Sequence, residues 1–347
     1  MQTVVVSGIR GQIASYAAEK FLNEGFNVVG LYRRCSMQDF SNIKHLFDNP
    51  NFQVYEADIC DMPSIAEVVT KFKPDIFLNF AAQSHVGSSY KQPITTAEVD
   101  YLAVAKILEV LRTYSQHTKF WNANTSERFG LYTGVQNEET PPYPVSPYSC
   151  AKTASEYLIK SYNITYGMHA SYSIMFNSES PRRSKEFVTR KITNYIGETW
   201  NVVDKNIDRY IGENFTSSQQ CYEIMLANGL IKPLKLGNLD TYRSWTHCKD
   251  TVDGIYKQVM LDKPDVFVFG REETHSIREF LTEAFGVVGV SDWSKFVVQD
   301  PQFMRPSDVP MLKPDCAKAK NLLGWEPKIS FKELVKEMVE NDIRLNS

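Results

Sequence analysis

The chain has little that would tie it to a metal, a membrane or a nucleic acid. Its six cysteines, Cys35, Cys60, Cys150, Cys221, Cys248 and Cys316, stand singly, with no Cys-x-x-Cys pair and no His-x-x-x-His companion. That pattern speaks against structural zinc and against a disulfide frame. The six histidines, His45, His85, His117, His169, His247 and His275, do not pair at ligand spacing, so no metal is expected. No apolar stretch approaches membrane-spanning length, and the opening "QTVVVSG" reads as a strand, not as the basic start and apolar run of a signal peptide. A cytoplasmic protein is the expectation. Charges of both signs sum to −3, which leaves no basic tail for nucleic acid and no charged helix for a membrane surface. Internal repeats and low-complexity segments are missing too.

What is present suits a large soluble α/β protein. At 347 residues and 43% hydrophobic, the chain can bury one large unit or two lobes that share a cleft. The first half alternates β-branched or aromatic runs, at 3–7, 27–32, 52–57, 75–80, 119–124 and 170–177, with segments of helical period. This predicts a doubly wound parallel sheet covered on both faces. Regularity breaks near residue 178. Residues 1–178 are expected to form a Rossmann domain to which 236–262 returns, and 179–235 with 263–347 a smaller, discontinuous α/β substrate lobe.

The first strand runs into "SGIRGQIASYAAEKF". Gly8 permits a tight turn, Gly11 lets the backbone approach a pyrophosphate, and the helix that follows offers free N–H groups and the positive end of its dipole. An ordinary glycine turn could carry the same residues, but the position between a first strand and a first helix favours dinucleotide binding. The second strand ends in "LYRRCS", which puts Arg33 and Arg34 where an acid would grip the ribose of NAD. Paired arginines there favour a 2′-phosphate, hence NADP, over a merely solvated loop.

In "SPYSCAK" Tyr148 and Lys152 lie one helical turn apart, and Thr125 ends the preceding strand. A lysine ammonium beside the phenol would favour phenolate, so that Tyr148 exchanges a proton with a sugar hydroxyl while hydride moves to a cofactor. Following a glycine loop, Tyr-x-x-x-Lys marks the short-chain dehydrogenase/reductase superfamily. Glu127, in "NANTSERFG", is the unusual group. A ketone reductase or 4-epimerase needs no such carboxylate, whereas an enzyme that also removes a carbon-bound proton does. A glutamate that simply caps a loop is the plainer reading. His85 lies beside the expected cofactor pocket; Cys150 faces another side of the tyrosine helix and reads as packing.

The stretches "GIRGQIASY", "RRCS", "FAAQSHV", "NTSERFG", "SPYSCAK", "FNSESPRR", "FVTRKI", "GNLDTYRSWTHCKD", "HSIREF", "RPSDV" and "AKAKNLLGWEP" together resemble, in order and over nearly the whole chain, the GDP-mannose 4,6-dehydratase family of extended short-chain dehydrogenases. UDP-glucuronate decarboxylases share Thr-Ser-Glu but lack the "SPRR…FVTRKI" pattern. The resemblance implies a lyase in which NADP takes hydride from C4 of GDP-mannose, water leaves across C5 and C6, and the hydride returns to C6. It implies Thr125, Tyr148 and Lys152 for the C4 oxidation and Glu127 for the elimination. Gly8, Gly11, Gln12, Arg33, Asp58, Ile59, Ala82 and Ser84, with Tyr148 and Lys152, would hold the cofactor. Asn177, Lys191, Arg243, Arg305 and Asp308 would hold the sugar nucleotide, with Gln83 a short polar contact. The resemblance also implies a homo-oligomer, dimer or tetramer, through the Arg-Arg loop.

The chain also departs from the family. Ala14 replaces the third glycine, Ala81 another glycine, and Ser178 a histidine expected beside the substrate; residues 197–231 are longer than in the family. A GDP-heptose or another nucleotide sugar is therefore the competing substrate, and an NADP-binding sensor without catalysis the competing class.

Overall fold

The computed structural model describes residues 1–210, 217–304 and 307–347. Its centre is a stack of apolar strands: β1 (Thr3–Ser7), β2 (Asn27–Tyr32), β3 (Phe52–Glu56), β4 (Ile76–Asn79), β5 (Lys119–Thr125) and β6 (Ala170–Met175). Val4, Val5 and Val6 of β1 are fully buried, as befits a strand covered on both faces. All pairings are parallel, and the order across the sheet is β3-β2-β1-β4-β5-β6, closed by the strand Val266–Phe269. The chain therefore winds outward from β1 first to one side and then, from β4, to the other. Between β1 and β4 the loops diverge, leaving a crevice at the carboxyl ends of the strands where such sheets take ligands.

The first helix, α1 (Gln12–Asn23), packs closely because Ala14, Ala17 and Ala18 present little bulk. Gly30 of β2 is needed opposite it: a Cβ there would meet the Ile9 side chain at 2.4 Å.

A second apolar cluster is built by the helices Val188–Tyr210, Ser218–Ala227, Ile277–Val287 and Phe331–Asn346 around Ile192, Ile196, Tyr222, Phe280, Phe285 and Met338. The first and last of these meet closely, since a Cβ on Gly197 would lie 2.5 Å from the Asp342 carbonyl oxygen. There Arg190 Nε donates to both oxygens of buried Asp342, at 2.8 and 2.7 Å, and Thr193 Oγ1 donates at 2.6 Å.

Leu234–Leu236 pairs with Val297–Gln299 in a separate two-stranded sheet. The helix Cys248–Val259 packs on α1, and Val266–Phe269 supplies the edge strand. Val309, Leu312, Cys316, Ala319 and Trp325 also join the first cluster. Trp325 is drawn there because its ring meets Phe269 edge-on at 4.8 Å and its Nε1 donates to the Asp250 carbonyl at 2.7 Å. Of the segment 197–231, residues 211–216 lie outside the described residues. Among those described, no helix is long and apolar enough to cross a membrane.

Candidate active site

The glycine loop has the shape a pyrophosphate needs. Gly8 has φ +66°, and a Cβ there would sit 2.9 Å from the Ala81 nitrogen, so only glycine fits between the loop and the end of β4. Gly11 caps α1 without any side-chain hydrogen bond to the first turn. The N–H groups that open the helix thus keep their capacity for an anion. Ser7 braces the floor: its Oγ accepts from the nitrogens of Phe80 and Ala81, each at 3.1 Å.

Thr125, Glu127, Tyr148 and Lys152 come together at the carboxyl end of β5. Ser146 caps the helix Pro147–Tyr166 in a reciprocal box with Ser149, which sets Tyr148 and Lys152 in its first turns. The Tyr148 phenol hydrogen-bonds the Thr125 hydroxyl, and Lys152 Nζ donates to the Ala123 carbonyl at 3.1 Å. Burial holds the phenol well above its ordinary range, with Asp100 and Glu127 adding to it; the Thr125 bond and Arg183 act the other way. Lys152 is pushed down by burial, against the pull of Asp100. Desolvation of the phenol thus runs against the lowering expected from the Tyr148–Lys152 spacing.

Glu127 sits in a short turn, Ser126–Phe129, opened by Thr125, whose Oγ1 accepts from Glu127 N at 3.2 Å. Gly130 closes the turn at φ +49°, in a place where a Cβ would fall 1.8 Å from the Tyr143 carbonyl oxygen. Beneath it Arg128 and Glu156, both buried, form an ion pair at 3.1 Å. Burial raises the Glu156 carboxyl to about 7 despite that partner.

Two cavities meet at this turn. The smaller, about 290 Å³, is lined by Gly8, Gly11, Gln12, Ala82, Ser84, Thr125, Tyr148 and Lys152; the larger, about 680 Å³, by Lys191, Arg243, Asp308, His85 and Phe303. Glu127, Asn177, Arg183 and Phe187 belong to both walls. Asn177 Oδ1 is buried there without a hydrogen-bond partner, an acceptor open to a ligand.

Other expected residues are placed differently. Gln12 lines the smaller cavity, but its Nε2 donates to the Ser178 carbonyl at 2.7 Å and its Oε1 accepts from Ser180 Oγ at 2.9 Å. Gln83 is not brought to either wall. Its Nε2 donates to Thr96 Oγ1 at 3.1 Å and its Oε1 accepts from His85 N at 2.9 Å, so the amide is engaged by the segment that follows it. Arg33 is exposed at the end of β2, and Asp58 and Ile59 follow β3; all three lie outside the two walls. Asp58 Oδ1 accepts from Cys60 N at 2.9 Å. Arg305 lies outside the described residues. Ser178, the departure thought to bear on the sugar, lines the smaller cavity and not the larger, with its Oγ 2.9 Å from Thr251 Oγ1.

In the larger cavity Lys191 Nζ lies 3.5 Å from the centre of the Phe303 ring, and Arg243 meets Asp308 at 3.6 Å. Arg183, quoted in "SPRR" but given no role from sequence, lies over the Phe187 ring at 3.4 Å and 3.3 Å from buried Glu179. Asp100 was likewise missed. It is fully buried below Lys152, accepts from Gln83 N at 2.8 Å, and is raised to about 6 by burial. Only the fold reveals either: one follows β6 and the other precedes the helix Ala103–Tyr114.

The family model described as GDP-mannose 4,6 dehydratase matches residues 5–214 and 206–338. GDP-mannose 4,6 dehydratase 1 of Arabidopsis thaliana is 35% identical, over 98% of this chain and 90% of its own. The human GDP-mannose 4,6 dehydratase is 33% identical, over 98% and 91%. Among solved structures, a dTDP-glucose 4,6-dehydratase from Bacillus anthracis in complex with NAD superposes with TM-score 0.78 at 21% identity, covering 98% of this chain and 96% of that one. RMD from Pseudomonas aeruginosa, complexed with NADPH, gives 0.74 at 17%, over 99% and 100%. With the glycine loop, the Thr125–Tyr148–Lys152 group and Glu127 on one crevice, and with relatives matching nearly end to end, the chain belongs to the GDP-mannose 4,6-dehydratase family.

Proposed function

We propose that this protein removes water from GDP-mannose to give GDP-4-keto-6-deoxy-mannose, with NADP as its cofactor. The observation that carries the reading is the place of Glu127, a carboxylate common to the walls of a dinucleotide-sized and a sugar-nucleotide-sized cavity. The glycine cradle, the uncapped start of α1 and the arginines after β2 suit a phosphorylated dinucleotide. Bound there, a nicotinamide group supplies a hydride acceptor and, later, the same hydride as donor, so that no net oxidation results.

The chain's own residues do the rest. Tyr148, held by Thr125, takes the C4 hydroxyl proton as the phenolate, a form that the Lys152 ammonium and a bound nicotinamide cation would favour against the burial that raises the phenol, and Lys152 anchors the tyrosine's helix to β5 through the Ala123 carbonyl. Once C4 is a ketone, the proton on C5 is acidic. Glu127 removes it and passes it to the C6 hydroxyl, so that the C5–H and C6–O bonds break, a C5=C6 bond forms and water leaves; as hydride returns to C6, C5 recovers a proton, in balance with the one Tyr148 took from the C4 hydroxyl. Lys191 and Arg243 suit the diphosphate, and Asp308 the ribose or guanine donors. Because the Ser178 hydroxyl is turned to Thr251, its departure from the family does not argue for a different sugar. Membership of the family supports a dimer or tetramer and a cytoplasmic setting.

Incubation with GDP-mannose, with the product identified by mass and NMR, tests the reading. Deuterium placed at C4 should reappear at C6. Absence of turnover on GDP-mannose, in the presence of turnover on another nucleotide sugar, would overturn the substrate; label lost to free NADPH would overturn the lyase chemistry.

A further inference from the structure

The glycine loop carries an arginine that the motif does not require. Arg10 sits between Gly8 and Gly11, and its side chain crosses from the β1–α1 loop to the end of β2. There Nη1 donates to Cys35 Sγ and Nη2 to the Arg33 carbonyl, both at 3.2 Å. Its guanidinium carbon lies 5.9 Å from the centre of the Phe40 ring, and its own carbonyl accepts from Asn42 Nδ2 at 2.9 Å. The loop around it is thus fixed at both ends.

We propose that Arg10 is a specificity-determining residue, whose guanidinium joins those of Arg33 and Arg34 in taking the 2′-phosphate of the dinucleotide. The inference rests on the NADP reading above and goes beyond it by assigning a third cation, from the β1–α1 loop. Three features support it. The end of β2 presents two exposed arginines in the run Tyr32 to Cys35, with no carboxylate to bind a free 2′-hydroxyl. The two hydrogen-bonding partners of Arg10 are a thiol and a backbone carbonyl, neutral and, for the sulfur, weak. A phosphate offers a guanidinium charge-assisted bonds in a matching fork, and these are stronger than either. Asp39 lies within the field of Arg10, but its Oδ1 accepts from Ser41 N at 2.8 Å.

The test is equilibrium binding to the full chain by calorimetry, with NADPH, NADH, 2′,5′-ADP and 5′-AMP as probes. The wild-type protein should prefer NADPH over NADH and 2′,5′-ADP over 5′-AMP. Arg10→Gln should weaken NADPH and 2′,5′-ADP by roughly 10- to 100-fold, the effect of losing one charged hydrogen-bonding partner, and leave NADH unchanged. Unchanged NADH binding also reports an intact fold. Equal losses for NADPH and NADH, or no loss for either, would overturn the role of Arg10. A wild-type protein that binds NADH as tightly as NADPH would instead overturn the cofactor reading itself. Should Arg10→Gln fail to fold, Arg10→Lys decides: it keeps the charge but loses the fork, and an NADPH-to-NADH ratio equal to the wild type would overturn the proposal.

Discussion

Gln12 ties the phosphate loop to the strand Asn177–Glu179 by both ends of one amide, with Nε2 on the Ser178 carbonyl at 2.7 Å and Oε1 on Ser180 Oγ at 2.9 Å. Gln12→Ala leaves that buried carbonyl and hydroxyl without these partners. Destabilisation of about 1–3 kcal/mol is expected in urea unfolding, together with weaker cofactor binding. A variant as stable as the wild type would show that water replaces the amide without penalty.

Glu127→Gln keeps the shape of the side chain and removes its basicity. Dehydration should fall by roughly 100- to 10,000-fold while the cofactor still binds and C4 is still oxidised. Tyr148→Phe should stop the oxidation itself. Rapid-quench analysis of the sugar, with nicotinamide absorbance followed in parallel, separates the two blocks; normal water loss in the glutamine variant would reassign Glu127 to a structural role.

Gly8→Ala forces a side chain into the left-handed region, at φ +66°, with its Cβ 2.9 Å from a backbone nitrogen. A loss on the order of 1–3 kcal/mol is expected in thermal or urea unfolding, with poorer dinucleotide affinity as the loop shifts from Ala81. An alanine variant of wild-type stability and affinity would mean that this approach is looser than described.

Asp100 gives a pH signature. Burial raises its carboxyl from 3.8 to about 6, so the folded chain holds this proton after the unfolded chain has released it. Stability therefore falls as pH rises between about 4 and about 6, by roughly 3 kcal/mol for this group. Asp100→Asn stays neutral throughout, so its stability relative to the wild type should climb over that interval and level off above it. Parallel profiles for the two proteins would exclude Asp100 as the titrating group.

Much of the fold and the reacting centre was legible because local chemistry dictates it. Strand β1 needs three consecutive valines, the turn after it needs Gly8, and one helical turn must separate Tyr148 from Lys152. The edge strand Val266–Phe269 was missed, since four apolar residues show no period that distinguishes strand from buried helix. The bonds that order Gln83, to Thr96 and Asp100 from a later segment, leave no trace in its spacing. Arg183 and Asp100 acquire meaning only when distant elements converge on β5. Nothing in the spacing of residues records which side chain will be desolvated.

The short turn Ser126–Phe129 carries Glu127 into a wall that both cavities share with Asn177, Arg183 and Phe187. Lys191, Phe303 and Asp308 line the larger cavity alone, so a substitution at any of them leaves the lining of the smaller one as it is. A change that displaces the turn reshapes both at once.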